Sequence, residues 1–199
     1  MSSVGIIDYG AGNLKSIGNG VKKVGFEFEF AKDPEKIGSF THLILPGVGS
    51  FGAAMEKLQK FKKPIQEFIG EGKPFLGVCI GIQLLFEESE ENPEVKGLEI
   101  FKGTCKRFPD SVKIPHMGWN NTTLKKESPI LEGVSNDDYF YFVHSYYAEP
   151  TNKEIIAAST DYALEFPSII AQDNVYATQF HPEKSSEQGL RILKNYLSI

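Results

Sequence analysis

Through Val78 the chain sets short apolar runs against amphipathic helical patterns in regular succession: Val4–Ile7, a helical pattern through Val24, 27–30, His42–Leu45, a helical pattern over 53–69, and 74–78. Few architectures accept that rhythm. Continuous apolar strands must be buried on both faces, and strands separated by helices run parallel, so the α/β pattern predicts an open, mostly parallel sheet with helices on both faces. Ligands of such sheets bind beyond the carboxyl ends of the strands. Residues 10–12, 47–52 and Cys79 each follow a strand end, so three loops are expected to converge on one edge. The second half changes character. Segments 139–147, 154–159, 168–173 and 175–180 read as strands with few helices between them, which predicts antiparallel strand additions on one side of the sheet. Residues 185–197 are expected to close the chain as a helix, packed on the sheet through Leu190, Leu193, Tyr196 and Leu197. A chain of 199 residues is expected to be one domain over 1–199.

Within this frame the run Phe75, Leu76, Gly77, Val78, Cys79, Ile80, Gly81, Ile82, Gln83 stands out. An apolar strand meets two glycines and a thiol before a helical pattern begins, which is the form of a nucleophile elbow, a sharp turn that lifts its central side chain out of the sheet. A thiol at a helix start faces unpaired N–H groups and the positive end of the dipole, which favour the thiolate. A buried cysteine acting as a small hydrophobe fits the pentapeptide as well.

A nucleophile needs a base and an orienter. His181, Pro182 and Glu183 supply both near the other end of the chain. On an extended segment residues two apart share a side, so Glu183 is expected to hold the His181 tautomer while the imidazole faces the thiol. A His and a Glu in a surface turn is the alternative. In Leu45, Pro46, Gly47, Val48, Gly49, Ser50, Phe51, Gly52, glycines free the backbone to turn N–H groups toward a site. An oxyanion hole and an ordinary glycine-rich turn both fit.

Other features restrict the functional classes. Lys plus Arg number 21 against 26 Asp plus Glu, a net charge of −5 without a basic stripe, so nucleic acid is not an expected partner. No apolar run approaches the length of a membrane span, and Val4–Ile7 is too short for a signal peptide, so a soluble, cytoplasmic chain is expected. Gly10, Ala11, Gly12 lacks the third glycine of a dinucleotide fingerprint, since Lys15 stands there, and no cofactor is expected. His42, His116 and His144 are too scattered for metal-ligand spacing, so no metal is expected. Cys105 reads as structural. Glu87, Glu88, Glu90, Glu91 and Glu94 read as a solvated acidic run at the end of the elbow helix.

The elbow followed by His181-Pro182-Glu183 resembles the class I, triad-type glutamine amidotransferases. Residues 46–52, with Ile7 to Leu14, Pro115 to Asn120 and Val143 to Tyr147, are similar to one branch, the glutaminase subunits of imidazole glycerol phosphate synthase. The resemblance spans almost the full length and implies a flavodoxin-like sheet and hydrolysis of L-glutamine by Cys79, His181 and Glu183. Backbone N–H groups of Ile80 and of the Val48 to Gly49 stretch would stabilise the oxyanion. Gln83 and the backbone at Gly49, Ser145 and Tyr146 would hold the amino-acid end of the substrate. It also implies a heterodimer with a (β/α)8 barrel cyclase that receives the ammonia, with Asn13, Trp119 and Lys184 at or near that interface. A paralogous glutaminase feeding another acceptor, such as a sugar amidotransferase, has the same build, and the sequence leaves that alternative open.

Overall fold

The structure is a computed structural model and describes residues 3–199. The predicted alternation appears as β1 (Val4–Ile7), α1 (Leu14–Lys23), β2 (Phe28–Ala31), β3 (His42–Leu45), α2 (Phe51–Gly70) and β4 (Phe75–Val78). Every residue of β1, β3 and β4 is buried, and the order β2-β1-β3-β4 is parallel throughout. Alternating side chains feed two cores. Ile7, Leu43, Leu45 and Phe75 cluster with Met55, Leu58, Phe61, Ile65 and Phe68 of α2. Val4, Ile6, Ile44, Leu76 and Val78 cluster instead with Ile17 and Val21 of α1. Each fully buried side chain of this size contributes roughly 1.5–3 kcal/mol of transfer free energy, which is why four-residue strands suffice.

After β4 the elbow helix α3 (Ile80–Leu84) is five residues long and runs directly into β5 (Phe86–Ser89). The expected acidic end of a longer helix is therefore corrected: Glu87 and Glu88 lie on β5, and Glu90, Glu91 and Glu94 follow it. The helix stops because its last carbonyls are taken from outside. Leu98 N donates to Leu84 O at 2.7 Å, and Ile100 N and Phe101 N both donate to Leu85 O.

The second half comprises β6 (Phe101–Arg107), β7 (His116–Asn121), β8 (Thr123–Leu124), β9 (Tyr139–His144), β10 (Tyr146–Pro150), β11 (Ile156–Asp161), β12 (Glu165–Gln172), β13 (Val175–Thr178) and α4 (Ser186–Leu197). β13 lies against β4 in parallel, and β12, β11 and β8 extend the sheet antiparallel, as predicted. The single strand expected over 139–147 is two strands. β9 pairs with β7 and β10 with β6, and the chain changes sheet at Ser145, whose carbonyl accepts Phe108 N at 3.1 Å. On α4, Ile192, Leu193, Tyr196 and Leu197 are buried, whereas Leu190 is only half-buried. α4 and α1 share one face of the sheet and α2 covers the other.

Candidate active site

Cys79 joins β4 to α3 with φ 57° and ψ −109°, a conformation costing a non-glycine residue of order 1–3 kcal/mol. The surroundings enforce it. Cys79 N donates to Thr178 O at 2.8 Å, fixing the elbow to the end of β13. A Cβ on Gly81 would stand 2.4 Å from Leu45 O, and one on Gly77 would stand 2.7 Å from Gly81 O, so the flanking glycines answer to backbone on both sides. The structure thus forms the elbow the sequence predicts.

His181 follows β13, the neighbour of β4, and the β4–β13 register of Val78 with Thr178 brings it beside Cys79. Its backbone is clamped: His181 N donates to Tyr141 O at 3.0 Å, and Ser185 Oγ donates to His181 O at 2.6 Å. His181 Nδ1 lies 3.0 Å from Glu183 Oε1, with the side chains 2% and 0% exposed. The expectation of an extended segment is corrected here, because Pro182–Lys184 is a single 3-10 turn. Pro182 starts the turn with its fixed φ, and the tight winding folds the Glu183 carboxylate back onto the imidazole. The buried Nε2 has no fully formed hydrogen bond. Burial disfavours the imidazolium, but the hydrogen bond to Glu183 and the nearness of the Cys79 thiol outweigh it and raise the His181 pKa to about 9.

Cys79 and His181 open onto a cleft of about 340 Å³ lined also by Val48, Gly49, Ile80, Gln83, Glu91, Pro115, Val143, His144, Ser145 and Tyr146. Every predicted oxyanion and substrate residue therefore faces one space. Gly49 adopts φ 102°, a left-handed backbone that glycine alone enters without strain, and nothing crowds its missing side chain. Gln83 Nε2 donates to Tyr146 O at 2.9 Å and to Gln179 Oε1 at 3.2 Å, which leaves the Gln83 carbonyl oxygen as the group available to a ligand.

Glu91, read from sequence as part of a solvated run, is the one acid in the lining. Its Oε2 accepts Phe51 N at 2.6 Å and Asn92 Oδ1 accepts Gly52 N at 2.8 Å, so two side chains from another loop cap α2. The sequence hid this role, because Ser50 is a favoured N-cap residue by type and only the structure shows that it makes no capping bond.

Beside the cleft, the outer face of β7 and β9 presents Met117, Trp119 and Tyr139, each more than half exposed. Trp119 meets Tyr141 edge-on, and Lys184 Nζ stands 5.9 Å over the Tyr141 ring, so two of the three predicted interface residues share one patch. Asn13 is in the loop after β1 as the half-buried N-cap of α1, without a side-chain capping bond. His116 and His144, scattered in sequence, are paired: Nδ1 of the first is 3.1 Å from Nε2 of the second. Cys105 is buried and free, with Sγ 3.4 Å from Gln83 O, and burial pushes its thiol pKa up. Among the described residues no group of three or more His, Cys, Asp or Glu is placed to hold a metal ion, and no helix is long and apolar enough to cross a membrane.

A strained cysteine elbow, a buried His–Glu pair and a small cleft meet at one edge of a doubly covered sheet. Residues 5–198 match the family described as Glutamine amidotransferase class-I, and the chain belongs to that family. It is 49% identical over 196 residues to imidazole glycerol phosphate synthase subunit HisH of Methanothermobacter thermautotrophicus, covering 98% of both chains. It is 50% identical over 195 residues to the subunit of the same name from Caldanaerobacter subterraneus, covering 97% of this chain and 96% of that protein. Among solved structures, a glutamine amidotransferase superposes with TM-score 0.78 at 18% identity over 98% of this chain and 99% of its own, which bears on fold alone.

Proposed function

We propose that the chain is the glutaminase subunit of imidazole glycerol phosphate synthase, hydrolysing L-glutamine with Cys79, His181 and Glu183 and supplying ammonia to a cyclase in histidine biosynthesis. The observation that carries the chemistry is the buried His181–Glu183 pair at 3.0 Å set beside the strained elbow of Cys79. The histidine-pathway assignment rests on near-half identity to HisH proteins along almost the whole length. Residues 1–199 act as one amidotransferase domain in the cytoplasm.

Cys79 Sγ attacks the carboxamide carbon, and N–H groups of Ile80 and of the Val48 to Gly49 stretch receive the oxyanion. His181, oriented by Glu183, protonates the departing ammonia and then activates water against the thioester, releasing glutamate. The Gln83 carbonyl oxygen and the Glu91 carboxylate attract the substrate ammonium, and backbone N–H groups at Ser145 and Tyr146 take its carboxylate. Ammonia released to water would be protonated, so an acceptor enzyme must dock over the cleft. The patch of Met117, Trp119 and Tyr139, flanked by Lys184 and completed by Asn13, is where a (β/α)8 barrel cyclase binds to form a heterodimer.

The test is glutamate release from glutamine by the chain alone and with the cyclase and its nucleotide ligand, with Cys79→Ala as control. Stimulation that vanishes in the control supports both parts. Reaction of Cys79 with a glutamine-analogue electrophile without stimulation by the cyclase keeps the chemistry and assigns the acceptor elsewhere.

A further inference from the structure

The paired histidines behind the cleft have a defined direction. A backbone carbonyl only accepts, so His144 Nδ1, 2.8 Å from Tyr146 O, carries the proton and Nε2 of the neutral ring is an acceptor. Nε2 is 3.1 Å from His116 Nδ1, which therefore donates and leaves His116 Nε2 as an acceptor. Asn120 Nδ2 lies 3.4 Å from that nitrogen and donates to Asp161 O at 3.0 Å. Every hydrogen bond along Asn120, His116, His144 and Tyr146 points the same way.

The rings have little freedom to break this order. His116 is stacked between Phe142, at 4.9 Å and 27°, and Tyr162, at 4.1 Å and 22°. Burial keeps both rings neutral, lowering the pKa of His116 to about 4 and that of His144 to about 3. At the end of the chain, Tyr146 O also accepts Gln83 Nε2, and the preceding carbonyl, Ser145 O, accepts Phe108 N. In a trans peptide the N–H points opposite to the C=O, so holding Ser145 O in the protein turns Tyr146 N–H away from it. The turn is held at two successive carbonyls.

We propose that His116 and His144 are positioning residues, a one-directional hydrogen-bond relay that fixes the Tyr146 carbonyl and thereby the backbone turn that binds the amino-acid end of glutamine. The inference rests on the glutaminase reading above. The relay makes no hydrogen bond to the thiol or to the oxyanion donors, so its loss falls more heavily on recognition of the α-amino acid than on the reactivity of Cys79.

The experiment compares the rates at which Cys79 is alkylated by 6-diazo-5-oxo-L-norleucine, which carries the amino-acid end, and by iodoacetamide, which lacks it. The variants are His144→Gln, whose amide reaches the Nε2 position but not Nδ1, and His144→Asn, whose amide nitrogen stands near Nδ1. His144→Gln is expected to slow the norleucine reagent about tenfold and iodoacetamide several-fold less, and His144→Asn to stay within about threefold of wild type with both. His116→Leu, which frees the His144 tautomer, is expected to slow the norleucine reagent about threefold and covers the case in which a His144 variant does not fold. Equal losses with both reagents, or no loss with either, overturn the relay. If wild type reacts with iodoacetamide and not with the norleucine reagent, the glutaminase reading itself fails and the relay falls with it.

Discussion

Glu183 presents Oε1 to His181 Nδ1 at 3.0 Å with both side chains closed to solvent, and its Oε2 has no hydrogen-bond partner. A buried carboxylate with one bare oxygen is costly, so the pair is tolerable only while the imidazole carries charge or donates strongly. Protonation of His181 and the presence of Glu183 are therefore linked.

That linkage has a sign. The His181 pKa is raised from 6.5 to about 9 in the folded state, so its contribution to stability is fully present below pH 6.5 and is lost as pH rises through about 9. Glu183→Gln removes one cause of the shift. The melting temperature of wild type relative to this variant is expected to fall across that window, and a difference that stays flat over it would refute the linkage.

The elbow depends on a contact between backbones. Gly81→Ala places a Cβ 2.4 Å from Leu45 O, where no flexible side chain can yield. The variant is expected to lose about 2 kcal/mol of stability and much of the alkylation rate at Cys79, because β3 and the elbow must separate. Thermal denaturation beside iodoacetamide kinetics reads both effects; an unchanged midpoint would contradict the packing.

Glu91 and Asn92 share the capping of α2 but not the cleft. Asn92→Ala is expected to cost about 1 kcal/mol of stability with little change in KM for glutamine. Glu91→Gln keeps an acceptor for Phe51 N and removes the charge, so KM is expected to rise about tenfold with a small change in stability. Steady-state kinetics of the two variants side by side separates the roles, and equal KM values would place Glu91 among purely structural residues.

Trp119 is 53% exposed on the patch beside the cleft. Trp119→Ala is expected to weaken binding of the cyclase by more than about tenfold, the behaviour of a large aromatic anchor at the centre of an interface. Sedimentation or a fluorescence titration measures it, and undiminished affinity would move the docking surface elsewhere.

Much of this arrangement is legible in residues taken singly. Val4–Ile7 and His42–Leu45 have the predicted bounds because short, mainly apolar runs ended by Asp8 and by Pro46 fit the buried centre of a parallel sheet. Gly77, Cys79 and Gly81 announce the elbow because only glycine permits those backbone approaches. The strands β6 and β7 were invisible. Phe-Lys-Gly-Thr-Cys-Lys-Arg in β6 has neither an apolar run nor a strict alternation, and it is a strand because β5 and β10 flank it.

The sequence by itself determined the alternating sheet and the elbow, since these follow from local patterning and from steric demands on individual residues, and it named Cys79, His181 and Glu183 as candidates. Tertiary structure alone decided the rest. Insertion of β13 beside β4 sets His181 against Cys79, residues that are distant along the chain. Closure of the loop after β5 over α2 turns Glu91 from a surface acid into a cap and a cleft wall. Pairing of β7 with β9 joins His116 to His144. Such relations depend on which backbone groups far apart in sequence satisfy one another's hydrogen bonds, and no local pattern of side chains encodes that choice.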